Sequence, residues 1–401
     1  MTDAIINEIT IIPVTAVYPH ELGRNSRNME IGRSVLEWVI KADTSSDTTG
    51  LTIAQQFMSP RNGGSASELA SLLRDTLLGQ KVNDLLVLDG DVAVGPGKKF
   101  KTAFQKHGWL SILAYDLVAR ELGISAVTLL GGFIRRSVPA YDTTLYFDDL
   151  RVPEKGIKQV VEEAVGGVNS GWGELKIKVG RGGHWMVPEA GQVRDAEIVN
   201  SIREAVGPDI KLMVDANFGY EKRLDLLEKF IAETRDADIF WLEEMVLPDI
   251  DSYRAIRAMV EKAKTDSLLV CGEVDREPIS KIYLDLAAEG LMDAYQPDIV
   301  SIGFSSWKEI EDSLQKYQVR TQPHCFFNGV FGTRASIVYG AASETFMSVE
   351  DERCRPHIFK PDEFSFVNGK YSVPDVPGLG LEIDPDIYRQ KYACNAVSVK
   401  L

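Results

Sequence analysis

From about residue 137 onward, short apolar segments alternate with amphipathic ones, and this alternation constrains the fold more than any other feature. Apolar segments typical of strands lie at 174–179, 210–215, 239–244, 268–273, 294–299 and 318–324, with helical spacing at 192–206 and 223–234. Strands that alternate with helices indicate βαβ units around a parallel sheet. Roughly eight such units fill ~200–250 residues, the size of a (β/α)₈ barrel. We therefore predict an α/β chain built on a TIM-type barrel.

The part of the chain before residue 137 has a different pattern. Two segments alternate apolar and polar residues as antiparallel strands do, Ile9–Val17 and Val35–Ala42. Pro13 predicts an edge position or a break in the first of them. Ser65 opens a capping box ahead of a helical leucine face, and a second helix ends at Gly123. This predicts an α+β module that precedes the barrel.

Composition excludes several classes of partner. The net charge is −15 and the pI about 4.9, which repels nucleic-acid phosphates and anionic lipid. The four cysteines form no CxxC pair, and neither a membrane-length apolar run nor a signal peptide is visible. We expect a cytoplasmic protein without nucleic-acid or membrane partners. An anionic substrate would need a local positive site to overcome the overall charge.

Lys176 and Lys178 provide such a site. The period of two in 174–179 turns Leu175, Ile177 and Val179 toward the outer helices, so both lysines point into the barrel. A pair of exposed lysines would require this strand to be an edge, which a barrel does not have. Two lysines so close repel each other, which predicts lowered ammonium pKa values and a lysine that can act as a base.

Three acids stand at the C-terminal ends of successive strands: Asp215, Glu243 and Glu273, spaced 28 and 30 residues apart. Each acid alone is more often a solvated loop residue or a helix cap. Three carboxylates that converge at a barrel mouth are prohibitively costly without a cation. A set of hard oxygen ligands favours Mg²⁺, with Mn²⁺ as an alternative, over zinc. The common register therefore predicts a metal site.

Two later strands end in Gln-Pro-Asp at Asp298 and Gln-Pro-His at His324. Adjacent strand ends would let Asp298 accept a hydrogen bond from His324. Such a contact fixes the tautomer and favours the imidazolium, giving a proton donor or acceptor near neutral pH.

The ordered set of Lys176, Lys178, the three acids, Asp298 and His324 resembles the enolase superfamily, and within it the mandelate racemase subgroup. Supporting segments are Ala114–Leu117, Leu129–Gly132 and Pro377–Gly380. The resemblance implies a (β/α)₇β barrel over residues 138–350, an α+β cap formed by residues 1–137, and a C-terminal segment, 351–401, that completes the cap. A homo-oligomer, from dimer to octamer, is also implied.

The resemblance further implies Mg²⁺-dependent removal of the proton α to a carboxylate, through an enediolate. Lys178 would be the base on one face of a small anionic carboxylate substrate, and the His324–Asp298 pair would serve the other face. Lys176 would stabilise charge, and Asn217 would contact the metal ligands or the substrate. Asp298 stands where muconate-lactonising relatives have lysine, and Glu273 stands where glucarate-dehydratase-like relatives have asparagine.

Some positions depart from the family pattern. Met245 replaces the usual proline after the Glu-Glu pair. For the acid of the eighth strand, Glu350 is the nearest candidate, Ser348 aligns about as well, and Glu344 is a third. Substrate selection is expected from cap loops at 18–30 and 44–64, where His20 is a candidate substrate contact beside two arginines.

The resemblance leaves the overall reaction open. Dehydration of a sugar acid to a 2-keto-3-deoxy acid is the first hypothesis. A racemase or epimerase of a 2-hydroxy acid or an amino-acid derivative would use the same residues. A non-catalytic binding protein is a remote alternative, because every site role is filled.

Overall fold

A computed structural model describes residues 3–54, 63–355 and 358–401. The barrel has eight parallel strands: β6 Ser137–Leu145, β7 Glu174–Lys178, β8 Lys211–Asp215, β9 Ile239–Glu243, β10 Leu268–Cys271, β11 Ala294–Tyr295, β12 Arg320–Thr321 and β13 Val349–Asp351. They follow one another around a closed ring, in which β13 pairs with β6 and a Thr321–Phe346 bridge joins β12 to the segment before β13.

Each of the seven connections between these strands contains at least one helix. The helices are α5 Asp148–Arg151, α6 Ile157–Asn169, α7 Pro188–Val206, α8 Leu224–Glu233, α9 Ile250–Ala263, α10 Lys281–Ala288, α11 Ile299–Gln315 and α12 Gly329–Ala342. The next described elements after β13 are the strands of a hairpin. The predicted (β/α)₇β barrel is thereby confirmed.

Side-chain alternation sorts the barrel into an outer and an inner layer. Leu175 and Ile177 are fully buried in the large core shared with the helices, on the outer face of β7. The inner face carries a separate apolar layer, made of Tyr141, Met213, Trp241, Val270 and Ala294. Because this layer fills the barrel, the polar residues further along the strands are confined to its C-terminal mouth.

All six strands predicted for the barrel are shorter than the sequence suggested, and two of them keep only two residues each. The predicted strand 294–299 ends at Tyr295, and Ile299 already begins α11. The predicted strand 318–324 keeps its ladder only at 320–321. Pro297 and Pro323 lack the N–H group that would continue each ladder, which explains both early ends.

The cap sheet is antiparallel. Its strands, in spatial order, are β16 (Val397–Lys400), β1 (Ile6–Leu22), β2 (Gly32–Thr44) and β3 (Thr49–Ile53). Pro13 lies opposite Trp38 of β2, while β16 pairs only with the Glu8–Ile11 stretch of β1. Pro13 therefore lies on an unpaired edge of a continuous strand, as predicted. The cap elements are β1 Ile6–Leu22, β2 Gly32–Thr44, β3 Thr49–Ile53, α1 Ala66–Thr76, β4 Leu86–Asp89, β5 Val92–Pro96, α2 Lys101–Lys106, α3 Trp109–Leu122 and α4 Ala126–Leu129.

Both predicted helix boundaries of the cap are confirmed. The Ser65 hydroxyl accepts a hydrogen bond from the Glu68 amide at the start of α1. Gly123 adopts φ +70° and ends α3 in the left-handed conformation that glycine tolerates. Part of the predicted loop 44–64 lies at residues 55–62, outside the described residues.

The C-terminal segment contributes to both sheets. Its elements are β14 Ser365–Val367, β15 Lys370–Ser372, α13 Pro385–Ile387, a single π-helical turn Tyr388–Tyr392, and β16 Val397–Lys400. Strand β15 pairs antiparallel with the start of β6, and β16 pairs with β1. The segment thus extends the barrel sheet in addition to completing the cap sheet. The domain bounds given above stay a prediction. None of the described helices is long and apolar enough to cross a membrane.

Candidate active site

The three predicted metal ligands meet at the mouth of the barrel. Asp215 and Glu243 are the last residues of β8 and β9, and Glu273 follows β10 by two residues. One carboxylate oxygen of each acid lies within 4.8 Å of those of the other two, and the side chains of Asp215 and Glu243 are fully buried. Burial, together with Asp215 and Glu350, raises the pKa of Glu243 to about 8 against the opposing effect of Lys176. Three hard oxygen donors gathered at such electrostatic cost fit Mg²⁺.

Both lysines of β7 point into this cluster. The Lys176 Nζ lies 2.7 Å from Glu243 Oε1, 2.7 Å from Glu350 Oε1 and 3.6 Å from Asp215 Oδ2. Lys178 forms an ion pair with Asp215. Both lysine ammonium groups thus lie next to Asp215, on the side of the barrel mouth where β7 pairs with β8.

The expectation that mutual repulsion lowers the lysine pKa values is wrong for Lys176. Burial alone would lower the pKa of this amine, but Glu243, Glu350, Tyr141 and Asp215 together raise it well above its usual range. The sequence argument considered only the neighbouring lysine, whereas the surrounding acids dominate. Lys176 is therefore a fixed positive charge in this environment and not a proton acceptor.

The predicted contact between His324 and Asp298 is confirmed, with Nδ1 of the ring 3.0 Å from Asp298 Oδ2. Asp298 also caps α11 by accepting from the Ser301 amide at 2.7 Å, and it accepts from the Asn328 side chain. Burial lowers the pKa of His324, but Glu273, Glu350 and Asp298 outweigh it and raise the pKa to about 9. The imidazolium predicted from sequence is thus favoured.

Glu350 is the acid of the eighth strand that enters the site. Its side chain, which is 1 % exposed, contacts Lys176, accepts from the Thr143 hydroxyl at 2.8 Å and accepts from the Cys325 amide at 2.7 Å. Burial would raise the pKa of Glu350, but Lys176, His324 and Lys178 hold it below its usual range.

The two other candidates for that acid lie elsewhere. Ser348 exchanges backbone hydrogen bonds with the side chain of Gln322. Glu344 lies beside Glu174 and Lys211, which belong to the N-terminal ends of β7 and β8 and therefore to the opposite end of the barrel.

Asn217 connects two of the three acids. Its backbone N–H donates to Asp215 Oδ1 at 2.9 Å, and its side-chain Nδ2 donates to Glu273 Oε2 at 3.3 Å. The residue adopts φ +42°, a left-handed conformation that asparagine tolerates better than most residues. Of the two roles left open by the sequence, the geometry supports contact with the metal ligands.

The cap covers the mouth through the loop between β1 and β2. The Ser26 hydroxyl donates to the carbonyl oxygens of Val179 and Gly180, immediately after β7. His20 does not lie beside the lysines and acids of the barrel mouth. Its Nε2 lies 3.3 Å from the Thr144 carbonyl oxygen and 4.0 Å from Glu163 Oε2.

Residues 159–387 match the family model described as Enolase C-terminal domain-like. The chain belongs to the enolase superfamily. It is 30% identical over 298 residues to a D-galactarolactone cycloisomerase of Agrobacterium fabrum, covering 69% of this chain and 71% of that protein. It is therefore an enzyme, and the fold predicted from sequence is the fold of its family.

Two solved structures are similar to this superfamily member over nearly its whole length. A mutant galacturonate dehydratase from Geobacillus sp. in complex with Mg has a TM-score of 0.84 and 26% identity, covering 100% of this chain and 98% of that one. The same dehydratase with D-galacturonate and 5-keto-4-deoxy-D-galacturonate has a TM-score of 0.81 and 27% identity, covering 98% and 99%. Together with the carboxylate cluster, this makes Mg²⁺ the cofactor of the present enzyme.

One contributor to the site of this superfamily enzyme was not identified from sequence. Glu244 Oε1 accepts hydrogen bonds from the amides of Gly272 and Glu273, at 2.8 and 3.0 Å. Burial, Glu273 and other acids raise its pKa well above the usual range. The adjacent pair Glu243-Glu244 at the end of the predicted strand was the available signal. Glu244 is a positioning residue for the turn that presents Glu273.

Gly272 makes this turn possible, and Gly272→Ala is expected to disturb it. Gly272 has φ +119°, and an added Cβ would lie 2.5 Å from the Tyr295 ring. We expect a loss of about 2–4 kcal/mol in the free energy of unfolding, with weaker Mg²⁺ binding as Glu273 moves. Urea unfolding and calorimetric Mg²⁺ titration measure the two effects.

Gly290→Ala is the matched control, because its φ is +68° and an added Cβ would meet no atom within 4 Å. We expect a smaller loss, about 1–2 kcal/mol, with unchanged Mg²⁺ affinity. Equal Mg²⁺ affinity in both variants would contradict the role assigned to the turn.

Proposed function

We propose that this enzyme removes the proton α to the carboxylate of a small sugar acid and expels the β-hydroxyl as water, giving a 2-keto-3-deoxy acid. The observation that carries the proposal is the arrangement of Lys178 and His324 around the acids. Around the closed ring, β8, β9 and β10 carry the metal ligands, and β7 and β12 lie on either side of them. A substrate carboxylate held at the acids would therefore lie between the two proton-transfer groups.

The first step is difficult because proton removal adds charge to an anion. Bound Mg²⁺ would supply positive charge beside the substrate's carboxylate oxygens. Lys176, which is 1 % exposed and held in its charged form by the acids around it, adds a second positive charge at the same place. In a buried site that excludes water, such a fixed charge contributes most where negative charge develops.

Lys178 is assigned the role of base. It lies two residues nearer the mouth than Lys176 on the same inward face, and among the acids that the structure describes it forms an ion pair with Asp215 only. Asp215 would also be a ligand of Mg²⁺, whose positive charge would offset the carboxylate that pairs with Lys178. Lys178 would then accept the α-proton of the substrate.

His324 is assigned the role of acid for the leaving hydroxyl. Asp298 holds its Nδ1, which leaves Nε2 facing Glu273 and Glu350, each at 3.8 Å. The three acids favour the imidazolium, so a proton is available at Nε2 for the oxygen that departs. Dehydration thereby uses both groups once per turnover.

A second candidate is a cycloisomerase, because the Agrobacterium relative at 30% identity carries that name. The same α-proton removal would then expel a lactone ring oxygen instead of a hydroxyl. A racemase would use Lys178 and His324 as bases on opposite faces. The predicted homo-oligomer remains part of the proposal and would show in the mass of the native protein.

A screen in Mg²⁺ buffer made with D₂O separates these reactions. Aldonic, aldaric and uronic acids, and their lactones, are incubated with enzyme and followed by 2-keto acid formation and by mass spectrometry. We expect a 2-keto acid that has lost one water. A keto acid isomeric with the starting lactone, apart from deuterium taken up from the solvent, would support the cycloisomerase, and deuterium at the α-carbon without keto acid would support the racemase. Absence of all three would refute α-proton chemistry on these substrates.

A further inference from the structure

A second group of potential metal ligands lies at the junction of cap and barrel. It consists of His20 on β1, Asp148 at the start of α5 and Glu163 on α6, with one ligand atom of each within 4.8 Å of the others. The Thr144 carbonyl oxygen lies 3.3 Å from His20 Nε2 and adds a fourth potential ligand atom to the group.

This group lies outside the barrel wall, apart from the catalytic acids. Tyr141 and Thr143 of β6 face inward, toward the inner apolar layer and Glu350, so Asp142 faces outward. Helix α6 covers that outer face closely: a Cβ on Gly167 would lie 2.9 Å from Asp142 Oδ2. Glu163, one turn earlier on α6, therefore approaches His20 from outside the ring.

Glu163 has one buried carboxylate oxygen that forms no hydrogen bond with the described residues. Its side chain is 8 % exposed, its Oε1 accepts from Gln159 at 2.7 Å, and its Oε2 has no hydrogen-bond partner in the part of the chain that the structure describes. A buried carboxylate oxygen without a hydrogen bond carries a desolvation penalty that a bound cation would relieve. Burial and the nearby Asp148 raise its pKa to about 8, against the opposing effects of Gln159 and Arg151.

The surrounding charges favour a cation at this point. Asp142 pairs with Arg353, and Asp148 pairs with Arg151. Arg151 also approaches Glu21, at 3.6 Å. Across the described residues, no lysine or arginine lies within salt-bridge distance of Glu163. Four acids thus share the guanidinium groups of Arg151 and Arg353. The two negative charges left over are as many as one divalent cation would neutralise. The acids are Glu21, Asp142, Asp148 and Glu163.

We propose that His20, Asp148 and Glu163 bind a divalent transition metal of the zinc type. An imidazole nitrogen with carboxylate oxygens suits Zn²⁺, whereas Mg²⁺ prefers oxygen ligands alone. With Zn–ligand distances of about 2.0–2.1 Å, ligand atoms of a tetrahedral site lie about 3.3 Å apart, close to the observed Nε2–carbonyl separation. Since His20 belongs to the cap and the acids to the barrel, the metal would tie the two together.

Cobalt titration of the full-length, chelator-treated protein tests this proposal, with bound metal counted by mass spectrometry. We expect two equivalents of Co²⁺ in the wild type, and one in Glu163→Gln and in His20→Gln. The equivalent they lose should be the one with the intense visible absorption of tetrahedral Co²⁺. Glu162→Gln is the matched control, because this exposed neighbour pairs with Lys155 on the surface, and it should keep both equivalents.

Glu273→Gln separates this site from the catalytic one. It should lose the other, weakly absorbing equivalent and keep the tetrahedral signal, and a double variant with Glu163→Gln should bind no Co²⁺. The proposal is overturned if the wild type binds a single equivalent or if Glu163→Gln keeps two. In that case a protonated Glu163, with His20 donating to the Thr144 carbonyl oxygen, describes the cluster. Thermal melts of each variant confirm that it is folded before metal is counted.

Discussion

Lys178→Ala is expected to lower kcat by about 10³-fold, within the range of 10²–10⁴ that general bases contribute. The variant removes the amine whose ion-pair partner among the described acids is Asp215, and it leaves Lys176 and the three acids in place. Because the effect falls on proton removal, KM should change little. Steady-state kinetics on a substrate from the screen, together with exchange of the α-proton in D₂O, measure the loss.

Lys211→Ala is the control for this variant. Lys211 is an exposed lysine at the opposite end of the barrel, where it pairs with Glu174 at 2.9 Å. Its removal should leave kcat within twofold of the wild type. If Lys178→Ala retained full kcat while exchanging the α-proton at the wild-type rate, the role of base would belong to another group.

Glu273→Gln is expected to lower kcat/KM by more than about 10²-fold at a fixed, low Mg²⁺ concentration, because metal binding contributes several kcal/mol of charge stabilisation. Glu273 is the cleanest ligand to change. It makes no ion pair with either lysine, and its contacts are Asn217 at 3.3 Å and His324 at 3.8 Å. Calorimetric titration with Mg²⁺ should show the affinity loss directly.

Raising the Mg²⁺ concentration should restore part of the activity of Glu273→Gln, since two of the three acids remain. Glu344→Gln, at the far end of the barrel beside Lys211, should match the wild type in both assays. Wild-type Mg²⁺ affinity in Glu273→Gln would show that the metal is held without this side chain, and the ligand assignment would then be wrong.

The site was largely predictable because a parallel barrel converts sequence register into position. Strand ends one βα unit apart must meet at one mouth, so Asp215, Glu243 and Glu273 could be placed together without any knowledge of the loops. The His324–Asp298 contact followed from the same register. The His324–Asp298 contact forms even though both strands end earlier than expected. Pro297 and Pro323 shorten the ladders of hydrogen bonds but leave the two chain segments side by side.

What the sequence could not supply were properties that depend on several segments at once. The pKa of Lys176 is set by acids on β8, β9 and β13, and the neighbouring lysine alone suggested the opposite direction. Glu350 could not be separated from Ser348 and Glu344 until its strand was paired with β6. His20 gave no sign of its partners because Asp148 and Glu163 lie more than a hundred residues away along the chain.

The pairing of β16 with β1 has a consequence for the order in which the molecule assembles. Glu8 lies opposite Lys400, so the two paired strands are separated in sequence by the whole barrel. During synthesis β1 therefore waits for β16 while every barrel strand from β6 to β13 emerges. Contacts so distant in sequence form slowly. We expect the cap sheet to gain β16 late in folding, so that chains stalled or truncated before β16 expose β1 as an unprotected strand edge.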